Sequence, residues 1–217
     1  MTPARRSPVD DSVTRTALLD AAAVLMLDEG YAAVTTRRVA QRADVNNGLV
    51  SYYFGTMDGL FIELFRRGAE QSLARLRQAL ASPQPLWELW ELTHDFTGNA
   101  LTMEFIALAN HRKAIRAEIA EYSRTFRTLQ LDALSSVFDG YGVDPGRWPP
   151  ASLIVTMAAT SRFLLMEDAF DVHIGHAEVV AVIEREISAL EGQRLTAGGE
   201  AGPREVPGDT VASRPAS

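Results

Sequence analysis

Between Thr35 and Phe54 the chain reads TTRRVAQRADVNNGLVSYYF. Val39, Ala40 and Val45, then Val50, Tyr53 and Phe54, are spaced to lock two short helices onto each other and onto a core. Ala40 is small enough to let the pair approach closely. That packing leaves Asn47, Gly48, Leu49, Ser51 and Tyr52 facing outward. An outward helix of this kind can enter a major groove with its N-terminal residues on base edges. Asparagine pairs bidentately with adenine, and a leucine rests on a thymine methyl. Thr35, Thr36, Arg37 and Arg38 open the first of the two helices with hydroxyls, backbone N–H groups and cations suited to phosphate. By periodicity alone, the same residues also fit a helical hairpin inside an ordinary bundle.

The surrounding elements read as helices throughout, giving an all-α fold class. Residues 1–11 read as a mobile arm. Leu18, Ala21, Ala22 and Leu25 then repeat at helical spacing up to Gly30, a fitting C-terminal stop. Thr35 and Thr36 offer N-cap oxygens for the first short helix, which ends near Arg42. Asp44 takes the turn in a conformation that aspartate adopts more readily than most residues. Asn46 caps the second helix, which Gly55 ends, and Thr56 caps a long fourth helix that Pro83 and Pro85 stop. Further helices follow over Leu86–Trp90, with a break near Gly98-Asn99, then from Leu101, from about Ile115 to Val137, from about 150 to 171 and from 176 to 191. Residues 193–217, rich in Gly, Pro, Ser and Thr, read as a disordered tail. The implied organisation is a helix-turn-helix module over 12–55 and a second helical module over 56–192.

Residues 14–68 resemble the N-terminal domain of TetR-type transcriptional regulators. The resemblance rests on ALLDAAAVLMLDEGY with its Gly30-Tyr31 pair, the Thr35-Thr36 cap and the YYF close. It implies three small DNA-binding helices, a larger helical domain holding a small-molecule pocket, and a homodimer built on the last two helices. Thr35, Thr36 and Arg37 fall where the family contacts phosphate. Asn47, Gly48, Leu49 and Tyr52 fall on the reading face, and Tyr53 matches the aromatic position before the closing Phe. Arg38, Asn46, Ser51 and Thr56 complete the expected DNA-binding set. The chain departs from the family pattern at Asp44 for a turn glycine, Ser51 for a tyrosine and Met57 for a lysine that would face the DNA backbone. The expected function is a ligand-responsive regulator, a repressor, binding a pseudo-palindromic operator as a homodimer. The alternative is a helical small-molecule-binding protein whose reading head has decayed.

Ala151–Met166 is apolar almost all round, and Val179, Val180, Val182, Ile183, Ile187 and Leu190 make a wide apolar face on the next helix. Paired with their symmetry mates, these two helices would form a four-helix interface. For the pocket, Trp87, Trp90, His94, Phe96, Met103, Phe105, Ile106, Asn110 and Arg162 are the expected lining, implying an apolar or aromatic effector with few polar groups.

Charge and composition fit this reading. The 217 residues carry a net charge of -7 and no cysteine, which excludes a disulfide scaffold and any thiolate site. The charge is uneven: residues 1–70 hold eight Arg against nine acids, while Tyr31–Met57 holds three Arg against one Asp, a local +2. Phosphate binding is local, so a basic edge can grip DNA on an acidic chain. Dinucleotide-binding, P-loop and Gly-x-Ser-x-Gly motifs are missing, so neither an enzyme nor a cofactor is expected. His173 and His176 have H-x-x-H spacing and read as a surface pair, not a metal site. The longest apolar stretch is too short to span a bilayer, so a cytoplasmic protein is expected.

Overall fold

A computed structural model describes residues 8–93, 96–146 and 149–195, with side chains from Asp11 onward except at 96–99. All regular structure among them is helical. In chain order the helices are α1 (Pro8–Glu29), α2 (Thr36–Arg42), α3 (Gly48–Phe54), α4 (Met57–Leu80), α5 (Pro85–Thr93), α6 (Phe96–Ala109), α7 (Lys113–Tyr141), α8 (Pro150–Asp168) and α9 (His176–Glu191). A single 3-10 turn, Tyr31–Ala33, joins α1 to the strand-like entry of α2.

Local chemistry sets most of the boundaries in the N-terminal part. Thr35 accepts from the Arg38 N–H at 3.4 Å and Thr56 from the Gly59 N–H at 3.1 Å, each satisfying a donor that a helix start would otherwise leave open. Asp44 sits at φ 52°, the left-handed turn expected of it. Gly59 is dictated by contact: a Cβ there would lie 2.1 Å from the Phe54 carbonyl oxygen, so α4 can start against the end of α3 only with glycine.

Three boundaries differ from the sequence expectation. The helical chain begins at Pro8, inside the segment read as an arm, because proline is pre-organised for a first helical position; residues 1–7 lie outside the described residues. α6 runs unbroken through Gly98 and Asn99 from Phe96, since a single helical glycine costs only about 1 kcal/mol, which packing overrides. α8 stops at Asp168 rather than 171, where Asp171 turns to φ 58°. The first residues of the expected tail are also held: Gln84 Nε2 donates to the Gln193 carbonyl at 2.9 Å, and the Leu195 N–H donates to Gln84 Oε1 at 2.8 Å.

Two apolar cores result. The first gathers Leu18, Ala22, Val39, Ala40, Val50 and Phe54 of the head with Leu60, Phe61 and Leu64 of α4, Phe105 and Leu108 of α6 and Ile115 of α7. It therefore crosses the expected boundary at 55/56 and seats the head on α4, α6 and α7. The second joins the end of α4 (Leu76), α5 (Leu86, Trp87, Leu89, Trp90), α7 (Leu134, Phe138), α8 (Ile154, Met157) and α9 (Ile183, Ile187). About 24 residues long, α4 spans roughly 36 Å and connects the two. No helix among the described residues is long and apolar enough to cross a membrane.

Candidate nucleic-acid interface and effector cavity

The α2–α3 pair is locked as its sequence requires: Val39, Ala40, Val50 and Phe54 are buried, and the Val45 N–H donates to the Ala40 carbonyl at 3.0 Å across the turn. On the outer side, Asn47, Gly48, Ser51 and Tyr52 are exposed. Tyr52 is 71% exposed and stands edge-on to Tyr53, ring centroids 4.9 Å apart. The free edge of α3 is narrower than expected, because Leu49 turns inward. Leu49 is half-buried against the first core rather than facing outward: an isobutyl group one turn from Tyr53 gains more by covering the core than by facing water. Tyr53 is half-buried too, its hydroxyl donating to Asp11 Oδ1 of α1 at 2.8 Å.

The flanking residues divide by what already occupies them. Asn46 is exposed and accepts from the Gly48 N–H at 2.8 Å, bracing the start of α3. The Thr35 and Thr56 hydroxyls are exposed caps. The Thr36 hydroxyl donates to Met57 Sδ at 3.3 Å, so the residue that stands in place of a family lysine ties α2 to α4 instead. Arg38 forms an ion pair with Glu29, and that bond is the main reason the Glu29 carboxyl is held below its ordinary range. Arg42 lies 3.7 Å from Asp28. Arg37 is exposed and makes neither of these pairs. The cation best placed to meet an incoming phosphate is therefore Arg37.

The expected pocket lining does not assemble into one cavity. Trp87, Trp90 and Phe105 are buried core residues, Trp90 completely. Met103, Ile106 and Asn110 are exposed. The side chains of His94 and Phe96 lie outside the described residues. Of the expected residues, Arg162 is the one that lines a cavity among the described residues. That cavity, about 180 Å³, lies among α4, α5, α6, α7 and α8. Its walls include Leu89, Leu92 and Phe126 on the apolar side and Arg75, Arg127 and Arg162 on the polar side. Periodicity does not separate a wall residue from a core residue, and the arginines come from three helices, so no local pattern could have gathered them. A second cavity of about 410 Å³ opens between α7, α8 and α9 over Phe138, Leu153 and Ile187, away from the head.

A chain of contacts runs from the first cavity to the head. Tyr122, on its wall, lies 5.4 Å from both Phe126 and Phe65, and Phe65 of α4 lies 5.2 Å from Phe105 of α6, all ring centroid distances. On α6, Thr102 lines the cavity, and two residues on Glu104 Oε2 accepts from the Tyr31 N–H of the head at 2.8 Å. His111, seven residues after Glu104, brings its ring within 6.3 Å of the Tyr31 ring. Arg112 pairs with Asp58 at the start of α4, and Arg66 of α4 with Glu118 of α7 at 2.6 Å. The two histidines near the start of α9 are spoken for: His176 Nε2 lies 2.8 Å from Glu167 and His173 Nε2 lies 3.2 Å from Asp168. Among the described residues no group of three or more His, Asp or Glu could hold a metal ion.

Residues 18–64 match the model of the bacterial regulatory proteins of the tetR family. An HTH-type transcriptional regulator BetI of Paraburkholderia xenovorans (strain LB400) is 39% identical over 70 residues, 31% of this chain and 36% of that protein. The chain thus spans about a third of the length of the curated relatives it matches. A solved structure from Rhodococcus sp., described as a TetR-family transcriptional regulator, superposes with a TM-score of 0.66 at 19% identity, over 82% of this chain and 99% of that one. Another, described as a transcriptional regulator from Saccharomonospora viridis in complex with choline, gives 0.59 at 16% identity over 72% and 85%. At such identities these superpositions establish the fold. Fold and site together define a helix-turn-helix module with an attached helical domain. Residues 18–64 thus carry the sequence of a tetR-family N-terminal domain, and the chain as a whole shares its fold with solved structures described as TetR-family regulators.

Proposed function

We propose that this regulator is a cytoplasmic repressor that binds a pseudo-palindromic operator as a homodimer. A small-molecule effector in the cavity among α4 to α8 releases it. The observation that carries the reading is the pairing of an unobstructed reading edge with a cavity linked to it through α4 and α6. Effector binding and DNA binding then weaken each other reciprocally. The test is fluorescence anisotropy of the full chain with duplex DNA from upstream of its own gene, beside a scrambled duplex and across a salt series. Preferential, salt-weakened binding is expected; equal and feeble binding to both duplexes counts against it.

The dimer reading is supported by an exposed apolar stripe on α8, where Val155, Phe163 and Met166 follow one helix face, continued by Val182 and Leu190 on α9. Exposed apolar side chains aligned on one helix face, unlike scattered ones, mark an interaction surface. A second copy with the same stripe is its self-complementary partner. Phe163→Glu is expected to convert the dimer to a folded monomer, read as a halved mass by light scattering with unchanged helicity.

The link through α6 is testable apart from any effector. Glu104→Ala removes a charged acceptor from the half-buried Tyr31 N–H, expected to cost about 1.5–3 kcal/mol. Hydrogen exchange at the Tyr31 amide should rise accordingly. Glu104→Gln, which keeps an acceptor oxygen, should retain most of the protection.

A further inference from the structure

We propose that the cavity takes an anion: a one-ring organic carboxylate whose charged end sits on Arg127 and Arg162 and whose ring lies against Leu89, Leu92 and Phe126. The inference rests on reading this cavity as the effector site, and it adds the chemical class of the occupant.

The argument begins with charge. Arg127 from α7 and Arg162 from α8 line the cavity, and no carboxylate does so among the described residues. Six arginines elsewhere, Arg15, Arg38, Arg66, Arg67, Arg112 and Arg194, each lie against an Asp or Glu. Arg127 does not. Its Nη1 is buried without a hydrogen-bond partner. Burial and then the like charge of Arg162 hold the Arg127 guanidinium below its ordinary value. A half-buried cation with one guanidinium nitrogen sealed from water and unpartnered is unfavourable, and the exposed cation of Arg162 beside it makes it more so. An anion between the two removes both penalties, and the guanidinium fork matches the two oxygens of a carboxylate.

Size and the opposite wall define the rest of the ligand. About 180 Å³ is close to the roughly 150 Å³ in which an apolar cavity holds benzene, so there is room for one ring and its carboxylate. Leu89, Leu92 and Phe126 give that ring an apolar seat. The apolar or aromatic body expected from the sequence is thus retained, and a negative charge is added to it. The choline held by the Saccharomonospora viridis neighbour is a cation, the opposite of what these guanidiniums accept.

The experiment is a calorimetric and thermal-shift titration of the full chain with benzoate, 3-hydroxybenzoate and cyclohexanecarboxylate, against neutral benzamide and cationic benzylamine and choline. Binding by carboxylates, with benzamide at least about ten-fold weaker and the cations silent, is the expected result. Arg127→Met and Arg162→Gln should each lower carboxylate affinity about ten- to hundred-fold, the range for losing hydrogen bonds to a charged group. Arg127→Met should also raise the Tm of the ligand-free protein by about 2–4 °C, which a merely structural arginine would not do. Ala158→Trp, filling the cavity from α8, separates the two levels of the argument. If benzamide or choline binds as tightly as benzoate and Ala158→Trp abolishes it, the cavity remains the effector site and the anion proposal is overturned. If carboxylates bind but neither arginine variant nor Ala158→Trp changes their affinity, the cavity reading falls with it. Silence of every carboxylate at millimolar concentration overturns the proposal as well.

Discussion

Asn47→Ala lowers operator affinity by at least about 30-fold, with no loss of fold. The expectation comes from exposure and symmetry. Asn47 and Tyr52 stand on the solvent edge of α3, bonded to nothing in the core. A good base contact is worth about 1–3 kcal/mol, and a dimer makes it twice. The loss for both heads is then about 2–6 kcal/mol, or about 30-fold to ten-thousand-fold in Kd. Tyr52→Ala, which removes a largely exposed ring, should act in the same direction. Surface substitutions of this kind change stability by no more than about 0.5 kcal/mol, so an unchanged Tm accompanies the lost affinity. Arg37→Ala should behave differently, weakening binding to operator and scrambled duplex alike and flattening the salt dependence by about one unit of slope per head. Leu49→Ala is the internal control. Because Leu49 covers the core, its truncation should lower the Tm of the head before it alters sequence preference. Anisotropy with thermal melts of the same four variants reads all of this. An Asn47→Ala protein with wild-type affinity would remove α3 as the reading element.

The largest expected loss of stability is at Glu191, at the end of α9. Its carboxylate accepts from the Leu86 N–H at 2.8 Å and the Trp87 N–H at 3.0 Å, the open donors at the start of α5, and from the Tyr141 hydroxyl at 2.8 Å. A residue 105 positions away in the chain thus caps a helix, with its negative charge at the positive end of the α5 dipole. The Trp87 indole N–H donates to the Gly192 carbonyl at 3.0 Å, and Gln84 Nε2 to the Glu191 carbonyl at 3.1 Å, closing the clasp between α5 and α9. Glu191→Ala strands two backbone donors and a phenol, with an expected cost of about 3–5 kcal/mol once non-additivity is allowed for. For a chain of this size that is a fall in Tm of roughly 6–20 °C. Glu191→Gln should fall between.

The same clasp sets an alkaline limit. Burial first, then the bond to Glu191, push the Tyr141 phenol from 10.0 up to about 12. The folded chain therefore holds this proton more tightly than the unfolded chain does. Its contribution is complete below about pH 10 and is lost as pH rises toward about 12. Chemical denaturation across that window should show the decline, and Tyr141→Phe should remove Tyr141's share of it.

The legible parts of this protein are those governed by chemistry within a few residues. Thr35 and Thr56 cap because a hydroxyl three residues before an open N–H reaches it wherever the chain lies. Asp44 takes the left-handed turn, and Val39, Ala40, Val50 and Phe54 go inside at helical spacing, whatever the rest of the chain does. That is enough to specify an all-helical chain, a helix-turn-helix and an edge carrying Asn47 and Tyr52. The tertiary structure decided what spacing cannot. It chose which apolar residues became core and which became cavity wall: Trp87 and Trp90 filled the junction of α5 with α7, α8 and α9, while the half-buried Leu92 of the same helix was left to line a space. It drew Leu49 inward, carried α6 through Gly98, and brought Glu191 to α5 and Glu104 to Tyr31. Packing also set Arg127 beside Arg162 without a counter-charge from the described wall. A cap is a relation between neighbours in the chain; a cavity and its charge are relations among helices, which exist only once those helices are packed.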